Sequence, residues 1–249
     1  MPAAPKMRGN PAEVRTDMIE IRPFDQLGKA NHGWLDTSYH FSFSNYHDPD
    51  RMGWGRLRVW NDDWIQAKSG FPPHPHRDME IVTFVRTGAI SHRDSLGNEG
   101  RTAAGDVQVM SAGTGITHAE FNLEDEDTTL FQIWILPEKT GEAPGWGQRE
   151  FPRGERAGSW ITVASGQPEK DDALPLRADA RVLAATLKAG DTLELPLDPA
   201  RHYYTVPVGG GVTANGHEAK ERDGIAVTGE DVLTITARDD VELLLVDTR

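Results

Sequence analysis

The sequence predicts an all-β protein built from two barrel-like units, and three observations carry that prediction. Twenty-five glycines and 16 prolines in 249 residues punctuate the chain too often for long helices and suit many short strands. The apolar stretches are short, rich in β-branched and aromatic residues, and bounded by Gly, Asn or Asp. They fall into two series, separated by a segment that gathers Gly, Pro and charge and has no periodicity.

Residues 1–17, opening "MPAAPKMRGN", are polar and broken by Pro and Gly. They lack the apolar run of a signal peptide or membrane span and are expected to form a loose tail on a cytoplasmic protein. From 18 to 137 come the strand candidates "RLRVWNDDWI", "MEIVTFV", "AISHRD", "DVQVMSAG" and "LFQIWILP". Residues 138–158 read as a linker or wrapping loop. From 159 to 249 strands resume with "WITVAS", "VLAATLKAG", "TLELPL", "YYTVPVGGGVTANG", "GIAVTG", "DVLTITA" and "VELLLVDT". The two series share an order of strand, Gly turn, strand, polar hairpin and Gly/Asp-led strand, which suggests a duplicated unit whose chain ends could be exchanged between barrels.

A net charge of −13 and a pI near 5.1 repel phosphate backbones and anionic lipid, so neither nucleic acid nor a membrane surface is an expected partner. With no cysteine, disulfides, thiolate metal sites and cysteine nucleophiles are excluded. Any metal must be held by His and carboxylate.

Seven of the nine histidines lie in the first series: His32, His40, His47, His74, His76, His92 and His118. In "FPPHPHRDMEIVTFVRTG", His74 and His76 stand at i and i+2, so on a strand both imidazoles share a face. Alone, such a pair also fits a loop histidine beside a capping or core one. A second cluster follows in "GDVQVMSAGTGITHAEFN", where His118 and Glu120 repeat the spacing after a turn at Gly113 and Gly115. If the two strands pack across a barrel, three imidazole nitrogens and a carboxylate converge, a set that suits a borderline divalent metal at about 2.0–2.2 Å per ligand.

The two motifs, with Glu80, Gly88, Gly105, Gly113 and Asn122 at their cupin positions and Ser111 where many cupins carry proline, resemble cupin motifs one and two. More narrowly, "NHGWLDTSYHFSFSNYHDPD", "HPHRDMEIVTFV", "HRDSLGNEG", "GDVQVMSAGTGITHAEFN" and "QIWILP" resemble the pirin family of bicupins, densest from Asn31 to Pro137 and covering nearly the whole chain. The resemblance implies two double-stranded β-helix (jelly-roll) barrels, with a metal held in the first by His74, His76, His118 and Glu120 and none in the second. It implies one divalent transition metal, with iron(II) expected first and zinc, manganese, cobalt, nickel or copper also suited to the donors. Phe71 and Gln132 match positions that line the metal pocket in pirin-like proteins.

Other candidates carry simpler readings. Glu80, a ligand in many cupins, is expected behind the ligands or paired with a buried Arg, because the pirin pattern puts the carboxylate at Glu120. His92, beside a hairpin turn, is expected to face solvent or bond the turn. His40, Phe41 and Phe43 read as core. The acidic run Leu123–Thr129 lacks the spaced oxygens of a calcium loop, and Gly209–Gly211 has no following helix to cradle phosphate.

Several pirins resemble quercetin 2,3-dioxygenases. The expected function is therefore that of an oxidoreductase that opens a flavonol, or a related aromatic enol, with O2, Glu120 accepting the hydroxyl proton. The alternative is a non-catalytic, metal-dependent regulator that binds a protein partner. A sugar isomerase fits less well with the Phe, Met and Trp around the motifs. A monomer is expected.

Overall fold

The computed structural model describes residues 18–249; the expected tail, 1–17, lies outside the described residues. The chain is nearly all strand, and the one α-helix among the described residues is the single turn Pro168–Asp171.

Four sheets make two barrels. In the first, a seven-stranded sheet runs in the spatial order Gly145–Arg149, Val107–Ser111, Glu80–Thr87, Thr128–Ile135, Leu57–Ile65, Leu35–Tyr39 and Gly28–Asn31. A four-stranded sheet, Gly70–His76, Ile116–Phe121, Ala89–Asp94 and Glu99–Ala103, completes it. In the second barrel Met18–Arg22, Gly224–Thr228, His202–Val208, Val241–Thr248, Ala180–Leu187, Ile161–Ser165 and Leu174–Pro175 form the large sheet. The small one is Thr192–Pro196, Val232–Ala237, Val212–Ala214 and His217–Ala219.

Two segments cross between the units. Met18–Arg22, first in sequence, pairs antiparallel with Gly224–Thr228 in the second barrel. Within 138–158, the aperiodic stretch, Gly145–Arg149 forms a strand against Val107–Ser111 of the first barrel. Its glycines and lone Trp hide the alternation that marks a strand in sequence.

The large sheets face each other. Phe41, Trp60, Phe84, Phe131 and Ile133 of the first half pack with Val182, Tyr204, Val206, Leu244 and Val246 of the second in one continuous core. Each such side chain contributes about 1.5–3 kcal/mol relative to exposure, so the boundary between barrels is itself core. Asp62, buried on this side, pairs with Arg86 and with Arg222 across the boundary.

The barrel interiors differ. The second is filled by Leu183, Tyr203, Ile225, Val227, Leu233, Ile235, Leu243 and Leu245. The first holds smaller apolar clusters at its ends and between them a polar row. Tyr39, Asn61, Gln132, Thr83 and Gln108 stand opposite one another on five adjacent strands. Above that row lies the histidine cluster.

Candidate metal centre

The strand Gly70–His76 is an edge of the small sheet, and this is why it tolerates Pro72, Pro73 and Pro75, which cannot donate to a ladder. Its register against Ile116–Phe121 pairs His74 with His118 and Phe71 with Glu120, so an extra residue bulges at the proline pair. Bulges re-aim side chains near sites. Alternation on the partner strand keeps His118 and Glu120 both inward and buried while Thr117 is exposed.

Among the described residues, two groups could hold a metal ion, and they share His118. His74, His76 and His118 place one ligand atom each within 4.8 Å of one another, as do His92, His118 and Glu120. Both groups lie in the first barrel. His74, His76 and His118 are thus brought together as the spacing predicts, and Glu120 adjoins them through His118.

The hydrogen-bond network assigns the tautomers. The Pro72 carbonyl lies 2.8 Å from His74 Nδ1 and can only accept, so in the neutral ring His74 Nε2 keeps its lone pair. Burial pushes Asp94 upward, but Asn98, His92 and the backbone N–H groups of Asn98 and Leu96 together hold it below the usual carboxylate value. The ionised Asp94 accepts from His92 Nε2 at 3.0 Å. His92 Nδ1 then accepts from His118 Nδ1 at 3.4 Å, leaving His118 Nε2 with a lone pair. That atom faces His74 Nε2 at 3.1 Å. Two nitrogen lone pairs turned toward each other repel, and a cation ligated by both removes the conflict. The donor set therefore fits a divalent metal.

Electrostatics agree. Burial, then the neighbouring His118 and His74, lowers His76 to about 4. Burial, then His74 and His92, lowers His118 to about 3. Both imidazoles are neutral at neutral pH, the form that ligates. Glu120 is pushed up by burial against the opposing pull of His92, His74 and His76. Its carboxylate accepts from Gln108 Nε2 at 2.6 Å and Thr83 Oγ1 at 3.3 Å on Oε1, and from Gln132 Nε2 at 2.8 Å on Oε2. The polar row of the large sheet thus grips the Glu120 carboxylate on the small sheet. Trp134 Nε1 donates to Gln132 Oε1 at 3.1 Å and fixes which way that amide points.

Phe71 and Gln132 line a cavity of about 170 Å³ together with His74, His76, Thr37, Asn61, Asp63 and Trp134. Trp34 packs edge-on to Phe71 at 5.0 Å, and Trp134 edge-on to His76 at 5.0 Å.

Two expectations change. His92 is neither solvent-facing nor a turn residue: it is buried at 3% exposure, and Trp146 stacks on its ring at 4.7 Å. Trp146 comes from the segment read as a linker. Gly100, opposite His92 in register, makes room for it, since a Cβ there would lie 2.2 Å from the indole. Glu80 is not drawn to the histidines. Its carboxylate accepts from Ser111 Oγ at 2.6 Å and from the Arg177 backbone N–H at 3.1 Å, so it joins the two barrels. It is bonded to that backbone amide, not to a buried guanidinium. The spacing of "SHRD" on a strand, His and Asp at i and i+2, was the available signal for the His92–Asp94 pair. Nothing local marked Gln108 or Thr83. His40 is core as expected, bonded through Nδ1 to Tyr204 Oη at 2.9 Å.

Two packed β-barrels, the first with a His/Glu group that could bind a metal, define a bicupin. Comparison with known proteins agrees. The pirin family model matches residues 20–135, and the model described as quercetinase C-terminal cupin domain matches 157–248. A pirin-like protein of Caulobacter vibrioides is 59% identical over 230 residues, which cover 92% of this chain and 99% of that protein. The quercetin 2,3-dioxygenase of Escherichia coli K12 is 41% identical over 231 residues, covering 92% and 98%. The crystal structure of the bacterial pirin YhhW from Escherichia coli in complex with nickel(II) superposes with a TM-score of 0.87 at 41% identity, covering 93% and 99%. The chain belongs to the pirin family. No helix among the described residues is long and apolar enough to cross a membrane.

Proposed function

We propose that this protein is a metal-dependent dioxygenase that opens a flavonol or related aromatic enol with O2. The observation that carries the reading is the convergence of the His74 and His118 Nε2 lone pairs, with His76, at the side of a cavity that Tyr39, Phe43, Phe71 and Trp134 line in part. His74, His76, His118 and Glu120 would hold the metal. A redox-active ion such as iron(II), once bound there, would supply Lewis acidity toward the enol oxygen and reactivity toward dioxygen.

The chain's own groups do the rest. Glu120, whose proton affinity burial has raised, accepts the proton of the flavonol 3-hydroxyl, and the donors Gln108, Thr83 and Gln132 set the orientation of its two oxygens. Phe71 and Trp134 wall the ring plane and exclude water. The balance is flavonol plus O2 to ring-opened ester plus carbon monoxide, with both oxygen atoms retained in the ester. Drug-sized ligands fill pockets of about 300–1,000 Å³. A cavity of about 170 Å³ therefore admits one hydroxylated outer ring of the flavonol, with the enol at the histidines on its side and the remaining ring at its mouth.

The test is anaerobic loading with iron(II), manganese, cobalt, nickel, copper or zinc in turn, followed by oxygen uptake and carbon monoxide release with quercetin. One equivalent of metal and matched consumption of oxygen and flavonol are expected for at least one ion. Fully loaded protein that consumes no oxygen with any flavonol sinks the reading.

A further inference from the structure

Asp62 and Asp63 are neighbours on one strand and point to opposite faces. Asp62 faces the second barrel and is neutralised there by Arg86 and Arg222. Asp63 faces the interior of the first barrel and lines the cavity beside His74 and His76. Asn61, two residues earlier on the same face, lines it too, and its Oδ1 is buried with no hydrogen-bond partner. Register places Thr37 opposite Asp63, and both Tyr39 and Gln132 opposite Asn61. A polar wall thus stands in a cavity that Phe71, Phe43 and Trp134 also line. A buried, unsatisfied amide oxygen costs about 1–3 kcal/mol, and a ligand hydroxyl would relieve it.

We propose that Asn61 and Asp63 are the substrate-recognition pair of this site, binding hydroxyl or oxo groups on the ring that enters the cavity and so selecting polyhydroxylated aromatic enols over unsubstituted ones. The inference rests on the functional reading above for the enol, and adds which part of the substrate is read and by what. Asn61 Oδ1 accepts from a ring hydroxyl. Asp63 suits either partner: burial first, with Asp62 and Glu120 adding and Thr37 and Arg86 opposing, pushes it up to about 7. Its acid form donates to an oxo group, and its carboxylate accepts from a hydroxyl. A site built to hydrogen-bond a hydroxyl discriminates strongly against the analogue that lacks it, because its own buried groups are then left unpaired.

The experiment titrates nickel-loaded protein under nitrogen with quercetin and with 3-hydroxyflavone, which keeps the metal-binding enol and lacks the other hydroxyls. Quenching of tryptophan fluorescence reports binding, since Trp134 lines the cavity. The wild type should prefer quercetin by at least about tenfold. Asn61→Leu and Asp63→Leu should bring the ratio toward one at unchanged metal content, whereas Asp63→Asn, which still donates and accepts, should keep most of it. Asn61→Ala serves if a leucine variant does not fold. Equal affinities in the wild type, no binding of either flavonol, or a ratio unchanged in folded Asn61→Leu (or Asn61→Ala) and Asp63→Leu variants overturns the assignment. Oxygen uptake on the iron-loaded protein separates the two ideas. Discrimination without uptake defeats the dioxygenase reading alone, and uptake without discrimination defeats the recognition pair alone.

Discussion

Gln108 Nε2 donates to Glu120 Oε1 at 2.6 Å, across the gap between the large and small sheets of the first barrel. Gln108 is itself held, because Thr102 Oγ1 lies 3.1 Å from both Gln108 Oε1 and Gln148 Oε1. The carboxylate is thus aimed from behind by an amide whose own orientation is set. Gln108→Leu should leave Glu120 with a buried, under-bonded oxygen, lowering stability by about 1–3 kcal/mol and metal affinity by about 10–100-fold. Denaturant melts and competitive metal titration measure the two. A variant with wild-type affinity would mean that Thr83 and Gln132 suffice to position Glu120.

The relay Asp94–His92–His118 makes a graded prediction. His76→Ala deletes a proposed ligand and should remove most of the metal while the barrel stays folded. His92→Phe keeps a ring under Trp146 but leaves His118 Nδ1 without its acceptor, so metal should still bind, about 10–100-fold more weakly. His217→Ala, exposed on the second barrel's small sheet, should change nothing. Metal stoichiometry and affinity across the three variants check the order. If His217→Ala empties the site, the metal is not where the histidines converge.

The contrast between His76 and His92 shows what was legible in the sequence. The i, i+2 spacing of His74 with His76 and of His118 with Glu120 is a property of one strand each, and strand alternation alone puts each pair on one face. The two-barrel, all-β fold was legible for the same reason, from strand length and turn residues. An exchanged chain end was expected as well, but which edges the crossing strands join was not. Met18–Arg22 pairs with Gly224–Thr228 and Gly145–Arg149 with Val107–Ser111, both set by edges open in the folded barrels. The grip on Glu120 was equally hidden, because Gln108, Thr83 and Gln132 become neighbours only through sheet register. His92 was misread because its partners, Trp146 and His118, come from distant strands.

Asp63 gives the chain a separable pH signature. Its carboxyl is at about 7 in the folded protein against an ordinary 3.8. Between those values the native state holds a proton that the unfolded state has released, so this group's contribution to stability falls as pH rises and is gone above about 7. His40, His76 and His118, all lowered, act with the opposite sign, whereas Glu80 and Glu120, both raised, act with Asp63, so the wild-type curve is a mixture. Comparing metal-free Asp63→Asn with wild type isolates the one carboxyl. The variant should gain relative stability from pH 4 to 7 by up to about 1.4 kcal/mol per unit and level off above. Urea unfolding at several pH values measures this, and a difference flat across that window would place Asp63 at an ordinary acidity.

Glu120 and Glu80 are both buried carboxylates in the first barrel, and the structure gives them different work. Glu120 touches Gln108, Thr83 and Gln132 beside His118, whereas Glu80 binds Ser111 and the Arg177 amide at the boundary between barrels. Glu120→Gln keeps shape and an oxygen donor, but it weakens the charge on the metal and the basicity needed for the hydroxyl proton. It also turns an amide toward donors that need an acceptor. It should keep part of the metal and lose most flavonol oxidation, by about 10²–10⁴-fold if Glu120 is the proton acceptor. Glu80→Gln should cost stability, about 1–3 kcal/mol, and leave both metal content and oxidation close to wild type. Metal analysis, oxygen uptake and melting of the two variants side by side decide the case. Loss of metal in Glu80→Gln with metal retained in Glu120→Gln would mean that Glu80, not Glu120, is the carboxylate ligand.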